Sequence, residues 1–261
     1  MKYALLSDVH ANLPALEAVL NDIAARGDVG AVYHLGDLVG YSSSPSEVVE
    51  RVRADGIAGV AGNYDSTVAT GFKHCGCRSE SARQEELAHI SFEWTLASTS
   101  PNAKRVLEGL PFRIDIRPLG GHVAGPTVTL VHATPTNNLV YVTEDRPDSF
   151  LTKLADMAHL RPGDVLAFGH THKAWHREVK GPSGEPGVHF VNTGSVGRPK
   201  DGDWRAGYVL LSVGAGPVQV EFVRVEYDIE RAVAGVKAAG LPPDFAEFLR
   251  TGGKPVAAST A

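Results

Sequence analysis

Apolar runs and helical spacings alternate along the first 65 residues of the chain. Residues 3–7 form a short apolar run that stops at Asp8, which predicts a buried strand. Over 13–26 the apolar positions Leu16, Val19, Leu20 and Ile23 recur at helical spacing, with Pro14 in the first turn and Gly27 at the stop. A second strand, 31–35, runs up to Asp37. Ser44, Pro45 and Glu47 then read as N-cap, first helical residue and capping-box partner of a helix that ends at Gly56. A third strand, 57–61, leads to Asn63. Strand, helix, strand, helix, strand implies parallel pairing with right-handed crossovers.

Residues 66–111 break this rhythm. A loop holding Gly71, Cys75, Gly76 and Cys77 precedes a helix over 81–97, opened by a Ser81–Gln84 capping box, and Ser100-Pro101 opens a shorter helix ending at Gly109. The segment reads as a helical insert over a crevice within one domain spanning 1–250. Strands return at 112–116, 127–131, 164–168, 189–191, 208–213 and 218–225. The later ones are short and bounded by Gly and Pro, which predicts a largely antiparallel second sheet. Helices over 229–239 and 244–250 close the fold, and 251–261 reads as a disordered tail.

The strand ends carry the chemistry. Asp8-Val9-His10, Gly36-Asp37, Gly62-Asn63-Tyr64-Asp65, Val131-His132 and Gly169-His170-Thr171-His172 each follow an apolar or β-branched run. Ligands at the carboxyl ends of strands converge on one crevice in α/β sheets. Asp8 and His10 are two apart, as are His170 and His172, so extended geometry would turn each pair to one side. One such segment alone is weak; five in this order describe the shell of a two-metal hydrolase.

Composition narrows the setting. The chain has 261 residues and a net charge of −5, with no basic block, which argues against a dedicated nucleic-acid-binding face. No apolar stretch approaches the ~18 residues a membrane span requires, and Asp8 comes too early for a signal peptide, so a cytoplasmic chain is expected. Cys75 and Cys77 are separated by one residue and are expected as reduced thiols.

The order Asp-x-His, Gly-Asp, Gly-Asn-x-Asp, lone His, Gly-His-x-His resembles the calcineurin-like metallophosphoesterases, in particular their small prokaryotic phosphodiesterase-like members. The resemblance runs from Asp8 to about Tyr227. It implies an α/β fold of two facing mixed β-sheets flanked by helices, a four-layer α/β/β/α sandwich. It also implies that Asp8, His10 and His172 hold one metal, Asn63, His132 and His170 a second, and Asp37 bridges both. A hydroxide between the ions would be the nucleophile. Two cations about 3.5–4 Å apart answer the negative charge of a phosphoester, and mixed His, Asp and Asn donors suit Mn, Fe, Zn or Ni better than Mg or Ca. The expected partner is a small phosphoester, a cyclic-nucleotide or aryl-type diester first. Phosphomonoesters, phosphoproteins and dinucleoside polyphosphates are the alternatives, and a non-catalytic metal-binding scaffold is a further one.

One position departs from the family pattern. Tyr64 stands where the family has a His that protonates the leaving oxygen or steadies the phosphate. An ordinary Tyr, with pKa near 10, is a poor acid at neutral pH, though it can donate a hydrogen bond to a phosphoryl oxygen. Asp37, Asn63, Tyr64 and Asp65 are the candidate catalytic residues, with Asp65 orienting a neighbour. Asn12, Tyr64, His74 and Arg198 are the candidate substrate contacts. Arg198 closes the loop Asn192-Thr193-Gly194-Ser195-Val196-Gly197-Arg198, whose N–H groups and guanidinium suit an anion. His34, His89, His122, His159, His176 and His189 read as structural or exposed.

Overall fold

A computed structural model describes residues 1–77, 81–117, 125–181, 185–214 and 216–254. The expected tail beyond 254 and His122 lie outside the described residues. Strands β1 (Lys2–Leu6), β2 (Ala31–His34) and β3 (Ala58–Gly59) run parallel, with helices α1 (Leu13–Arg26) and α2 (Pro45–Ala54) as their crossovers. Asn12 caps α1 by accepting from the Ala15 N–H, and Gly27 stops it in a left-handed conformation. Ser44 stands at the N-cap of α2, but its hydroxyl makes no capping bond.

The segment after β3 folds as α3 (Asn63–Thr70), α4 (Ala82–Ser98) and α5 (Pro101–Glu108). Sequence had placed Asn63, Tyr64 and Asp65 in a loop; they form the first turn of α3, with the Asp65 carboxylate accepting the Gly62 N–H at 3.0 Å. Ser81 caps α4 as expected, accepting from the Gln84 N–H. Between α3 and α4, the Cys75 and Cys77 sulfurs are joined in a disulfide, against the reduced thiols expected. A turn at Gly76, in a left-handed conformation, brings the two Cα atoms to 5.3 Å, within disulfide reach.

The remaining elements are β4 (Arg113–Ile116), β5 (Val128–Val131), α6 (Asp148–Ala158), β6 (Val165–Phe168), β7 (Ala174–Val179), β8 (Val188–Thr193), β9 (Ala206–Ser212), β10 (Gln219–Val225), α7 (Ile229–Ala238) and α8 (Pro243–Thr251). They build two five-stranded sheets, ordered β10-β9-β1-β2-β3 and β4-β5-β6-β8-β7. The second sheet is mixed and not largely antiparallel, because β5, β6 and β8 pair in parallel. The strands expected to extend it, β9 and β10, instead join the first sheet, β9 pairing antiparallel with β1 and β10 antiparallel with β9.

Alternation along β1 shows how the layers stack. Tyr3 and Leu5 point between the sheets, packing with Val128, Leu130, Val165 and Val191 of the second sheet. Ala4 and Leu6 point outward into the cluster that holds Leu16, Val19 and Leu20 of α1. On the far face of the second sheet, Leu166 and Phe168 pack with Leu151 and Leu154 of α6. The result is the expected four-layer α/β/β/α sandwich. Among the described residues, no helix is long and apolar enough to cross a membrane.

Candidate metal centre

The carboxyl ends of β1, β2, β5 and β6 and the first turn of α3 meet at one rim of the sandwich. Asp8, His10, Asp37, His170 and His172 all have φ between 48° and 65°, in the left-handed region that non-glycine residues rarely occupy. The pairs Asp8/His10 and His170/His172 therefore converge through tight turns past the strand ends, and not in the extended geometry their spacing suggested. Loop-to-loop hydrogen bonds hold these turns: Asp8 N–H to Gly36 O at 3.0 Å, His10 N–H to Asp37 O at 3.0 Å, and Gly169 N–H to His132 O at 2.9 Å. The loops can touch because two positions lack a side chain. A Cβ on Gly62 would run into the Asp37 carboxylate, and one on Gly169 into Ser7 and the Asp8 carboxylate.

Two groups of buried donors result, Asp8 with His10 and His172, and Asp37 with His132 and His170. In the first, His10 Nε2 lies 3.0 Å from His172 Nε2, and Asp8 Oδ1 lies 3.2 Å from His172 Nε2. In the second, His132 Nε2 lies 3.2 Å from His170 Nδ1 and 3.1 Å from Asn63 Oδ1. Asp37 Oδ2 stands between the groups, 3.8 Å from His10 Nε2 and 3.6 Å from His132 Nε2.

The outer nitrogens of three of the four imidazoles are tied down, while among the described residues His170 Nε2 has no hydrogen-bond partner. His10 Nδ1–H donates to Val39 O at 3.0 Å, His132 Nδ1–H to Leu35 O at 2.8 Å and His172 Nδ1–H to Arg198 O at 2.6 Å. A neutral imidazole that donates from Nδ1 turns a lone pair inward from Nε2. Asp8 Oδ2 accepts from Ser7 Oγ–H and from His170 N–H, while its Oδ1 is buried with no hydrogen-bond partner. Asp37 Oδ1 accepts the Tyr64 N–H at 2.9 Å, which leaves Oδ2 for the centre.

The electrostatics favour cations at this point. Burial, reinforced by neighbouring positive groups, keeps His10 and His170 neutral well below the usual range and holds His172 down to about 4. Burial works against ionised Asp8, yet the surrounding histidines, His172 above all, outweigh it and hold its carboxyl below the ordinary value. Burial pushes Asp37 up to about 8, with Asp65 and Asp8 adding to the effect. For His132 burial is outweighed by Asp37 and Asp8, and its pKa rises. Inward lone pairs 3.0–3.2 Å apart repel unless a proton or a metal ion lies between them. An orphaned carboxylate oxygen beside them is the same signature. The donor set fits divalent metal ions.

The other candidate residues fall in different places. Asp65 is fully buried, with Oδ1 accepting the Leu38 N–H and Oδ2 the Gly62 N–H, so it staples two ligand loops. Tyr64 is also fully buried, and its O–H donates to Ser91 Oγ of α4 at 3.1 Å. Burial raises its pKa well above 10. Asn12 donates to Gly197 O at 3.0 Å and caps α1, binding the Arg198 loop to the Asp8–His10 loop. His74 is exposed and packed edge-on to Phe72, and neither it nor Arg198, which stacks on the pocket residue Tyr41, lines the pocket itself. The pocket over the centre is lined instead by Tyr41, Tyr141, Cys77 and Lys200 along with the ligands. Sequence reading missed Tyr41 and Ser91, and named Ser195 only as a member of the loop that ends in Arg198. Ser195 Oγ–H donates to Asp8 O at 2.7 Å, and only its place past the end of a strand could have marked it.

Residues 1–216 match the family model described as the calcineurin-like phosphoesterase superfamily domain, and the chain belongs to that superfamily. An uncharacterized protein of Methanocaldococcus jannaschii is 30% identical over 260 residues, covering 95% of this chain and 97% of that one. The crystal structure of a metallophosphoesterase from Sphaerobacter thermophilus is 29% identical and covers 97% of this chain and 99% of its own, with a TM-score of 0.72. A hypothetical protein from Pyrococcus horikoshii, 21% identical with the same coverage, shares the fold at a TM-score of 0.77.

Proposed function

We infer that the protein is a two-metal phosphoester hydrolase that prefers phosphodiesters, and among them aryl-type diesters, whose leaving groups depart without a proton, over cyclic nucleotides, whose leaving group is an alkoxide. The observation that carries this reading is the convergence of inward imidazole nitrogens, paired at 3.0 and 3.2 Å around Asp37 Oδ2. Divalent cations bound there would neutralise phosphoryl charge and bring the pKa of water down to near 7. Asp8, His10 and His172 would hold one, and Asn63, His132 and His170 the other, with Asp37 spanning both. The Nδ1–H bonds of His10, His132 and His172 to backbone carbonyls fix the rings that present their Nε2 atoms.

The leaving-group preference is supported by Tyr64. Its proton is committed to Ser91 and its raised pKa makes it a weaker acid than free phenol. Esters with a stable leaving anion are then favoured over alkyl esters. The metals best matched to mixed nitrogen and oxygen donors are Mn²⁺, Fe²⁺, Zn²⁺ and Ni²⁺. A substrate panel on metal-stripped protein, reloaded with one metal at a time, tests this reading. Bis-nitrophenyl phosphate should be cleaved faster than nitrophenyl phosphate, and both far faster than alkyl monoesters. Preference for alkyl monoesters would overturn the diester assignment, and no hydrolysis with any metal would overturn the enzyme.

A further inference from the structure

We propose that Arg198, its guanidinium clamped between the rings of Tyr41 and Phe248, binds the phosphoryl group of the ester beside the Asp8–His10–His172 cluster, and that Phe248 is its positioning residue. This deepens the phosphoesterase reading and rests on it.

Arg198 sits in the loop that follows β8. Its N–H donates to Ser195 Oγ at 2.8 Å and its carbonyl accepts from His172 Nδ1–H at 2.6 Å, so the backbone is fixed to the centre at two points. The guanidinium carbon lies 3.8 Å from the ring centroid of Tyr41 and 3.8 Å from that of Phe248, which α8 brings in from the far end of the chain. Tyr41 in turn packs edge-on against His10, with ring centroids 5.0 Å apart. The cation is therefore one ring away from a metal ligand, and it acts electrostatically on His10 and His172.

What the guanidinium lacks is an anion. Arg26, Arg83, Arg205, Arg224 and Arg250 each hold a carboxylate. Among the described residues, Arg198 has no carboxylate within 4 Å of its guanidinium and donates no side-chain hydrogen bond. A largely buried cation with no carboxylate in contact is costly; Asp8 acts on it only from beyond ion-pair distance, and stacking covers only its two faces. The N–H donors all lie in the edge plane between those faces, where their fork matches two oxygens of a phosphate. Stacking also fixes the side chain before substrate arrives, so little rotamer entropy is lost on binding.

The test is binding of inorganic phosphate to the full chain loaded with Mn²⁺, by calorimetry, with metal content measured on each sample. Arg198→Met should weaken phosphate binding roughly tenfold or more while two metals stay bound, and Arg198→Lys should recover part of the loss. Phe248→Leu should weaken phosphate binding and raise KM with little change in kcat, and Phe248→Tyr should restore both. Wild-type phosphate affinity in Arg198→Met with its metals intact would overturn the proposal. If Arg198→Met sheds metal, Phe248→Leu decides: unchanged phosphate affinity and KM there would overturn the clamp. A metal-loaded wild type that neither binds phosphate nor cleaves any ester would overturn the phosphoesterase reading itself.

Discussion

The side-chain amide of Asn63 donates to the carbonyl oxygen of Cys75 at 3.0 Å, which turns its Oδ1 toward His132 Nε2, 3.1 Å away. The turn between α3 and α4 thus orients the Asn63 amide oxygen toward the group formed by Asp37, His132 and His170. Asn63→Ala should remove one donor from that group and leave the Asp8–His10–His172 group intact. Loading with Mn²⁺ and elemental analysis should then find close to one metal per chain. Two metals bound as tightly as in wild type would exclude Asn63 from the shell.

His34 supplies a pH-dependent contribution to stability away from the donors. It is 1% exposed, neither ring nitrogen has a hydrogen-bond partner among the described residues, and burial lowers its pKa to about 4. Between 6.5 and about 4 the unfolded chain binds a proton that the folded chain does not. The contribution is therefore full above pH 6.5 and is lost as pH falls toward 4. The gap corresponds to on the order of 3 kcal/mol. His34→Leu should flatten this acid loss relative to wild type in urea titrations of chelated protein at pH 7.5 and 5. Parallel losses in the two proteins would contradict the assignment.

The fold class and the gathering of Asp8, His10, Asp37, His132, His170 and His172 at one rim were legible because both rest on local rules. Apolar runs mark strands, and ligands at strand ends converge whatever the details of the turn. The turns themselves were not legible: left-handed φ at Asp8, His10, Asp37, His170 and His172 is imposed by loop-to-loop hydrogen bonds that no single segment encodes. Strand partners were misread for a similar reason, since short strands bounded by Gly and Pro pair according to their place in the sandwich. Helix α6 and strand β7 went unread, although Leu151, Leu154 and Ala158 recur at helical spacing. The contacts between Tyr41, Arg198 and Phe248 join positions about 50 to 200 residues apart, and composition carries no trace of them.

Tyr64 separates acid catalysis from hydrogen-bonding to the helical insert. Tyr64→Phe should leave nitrophenyl diester hydrolysis nearly unchanged and cost about 1 kcal/mol of stability through the lost bond to Ser91. Tyr64→His should raise activity on alkyl esters selectively, toward the roughly 10²–10⁴-fold a positioned acid contributes. Steady-state rates on matched alkyl and nitrophenyl esters check this. Equal effects on both classes would show that Tyr64 plays no part in leaving-group choice.

The proposed preference for transition metals rests on the donors. After chelation, Mn²⁺ should restore hydrolysis where Mg²⁺ restores little, because four imidazoles, those of His10, His132, His170 and His172, face the centre. Full recovery with Mg²⁺ alone would argue for an oxygen-dominated shell instead.

The central claim is a pair of metal ions joined through Asp37, whose Oδ2 lies 3.8 Å from His10 Nε2 and 3.6 Å from His132 Nε2. Elemental analysis of Mn²⁺-loaded wild type and Asp37→Ala, paired with hydrolysis of bis-nitrophenyl phosphate, tests it most directly. Wild type should carry two metals per chain, and Asp37→Ala should carry fewer and lose nearly all activity. An Asp37→Ala protein that keeps two metals, or a fully active wild type that holds only one, would contradict it.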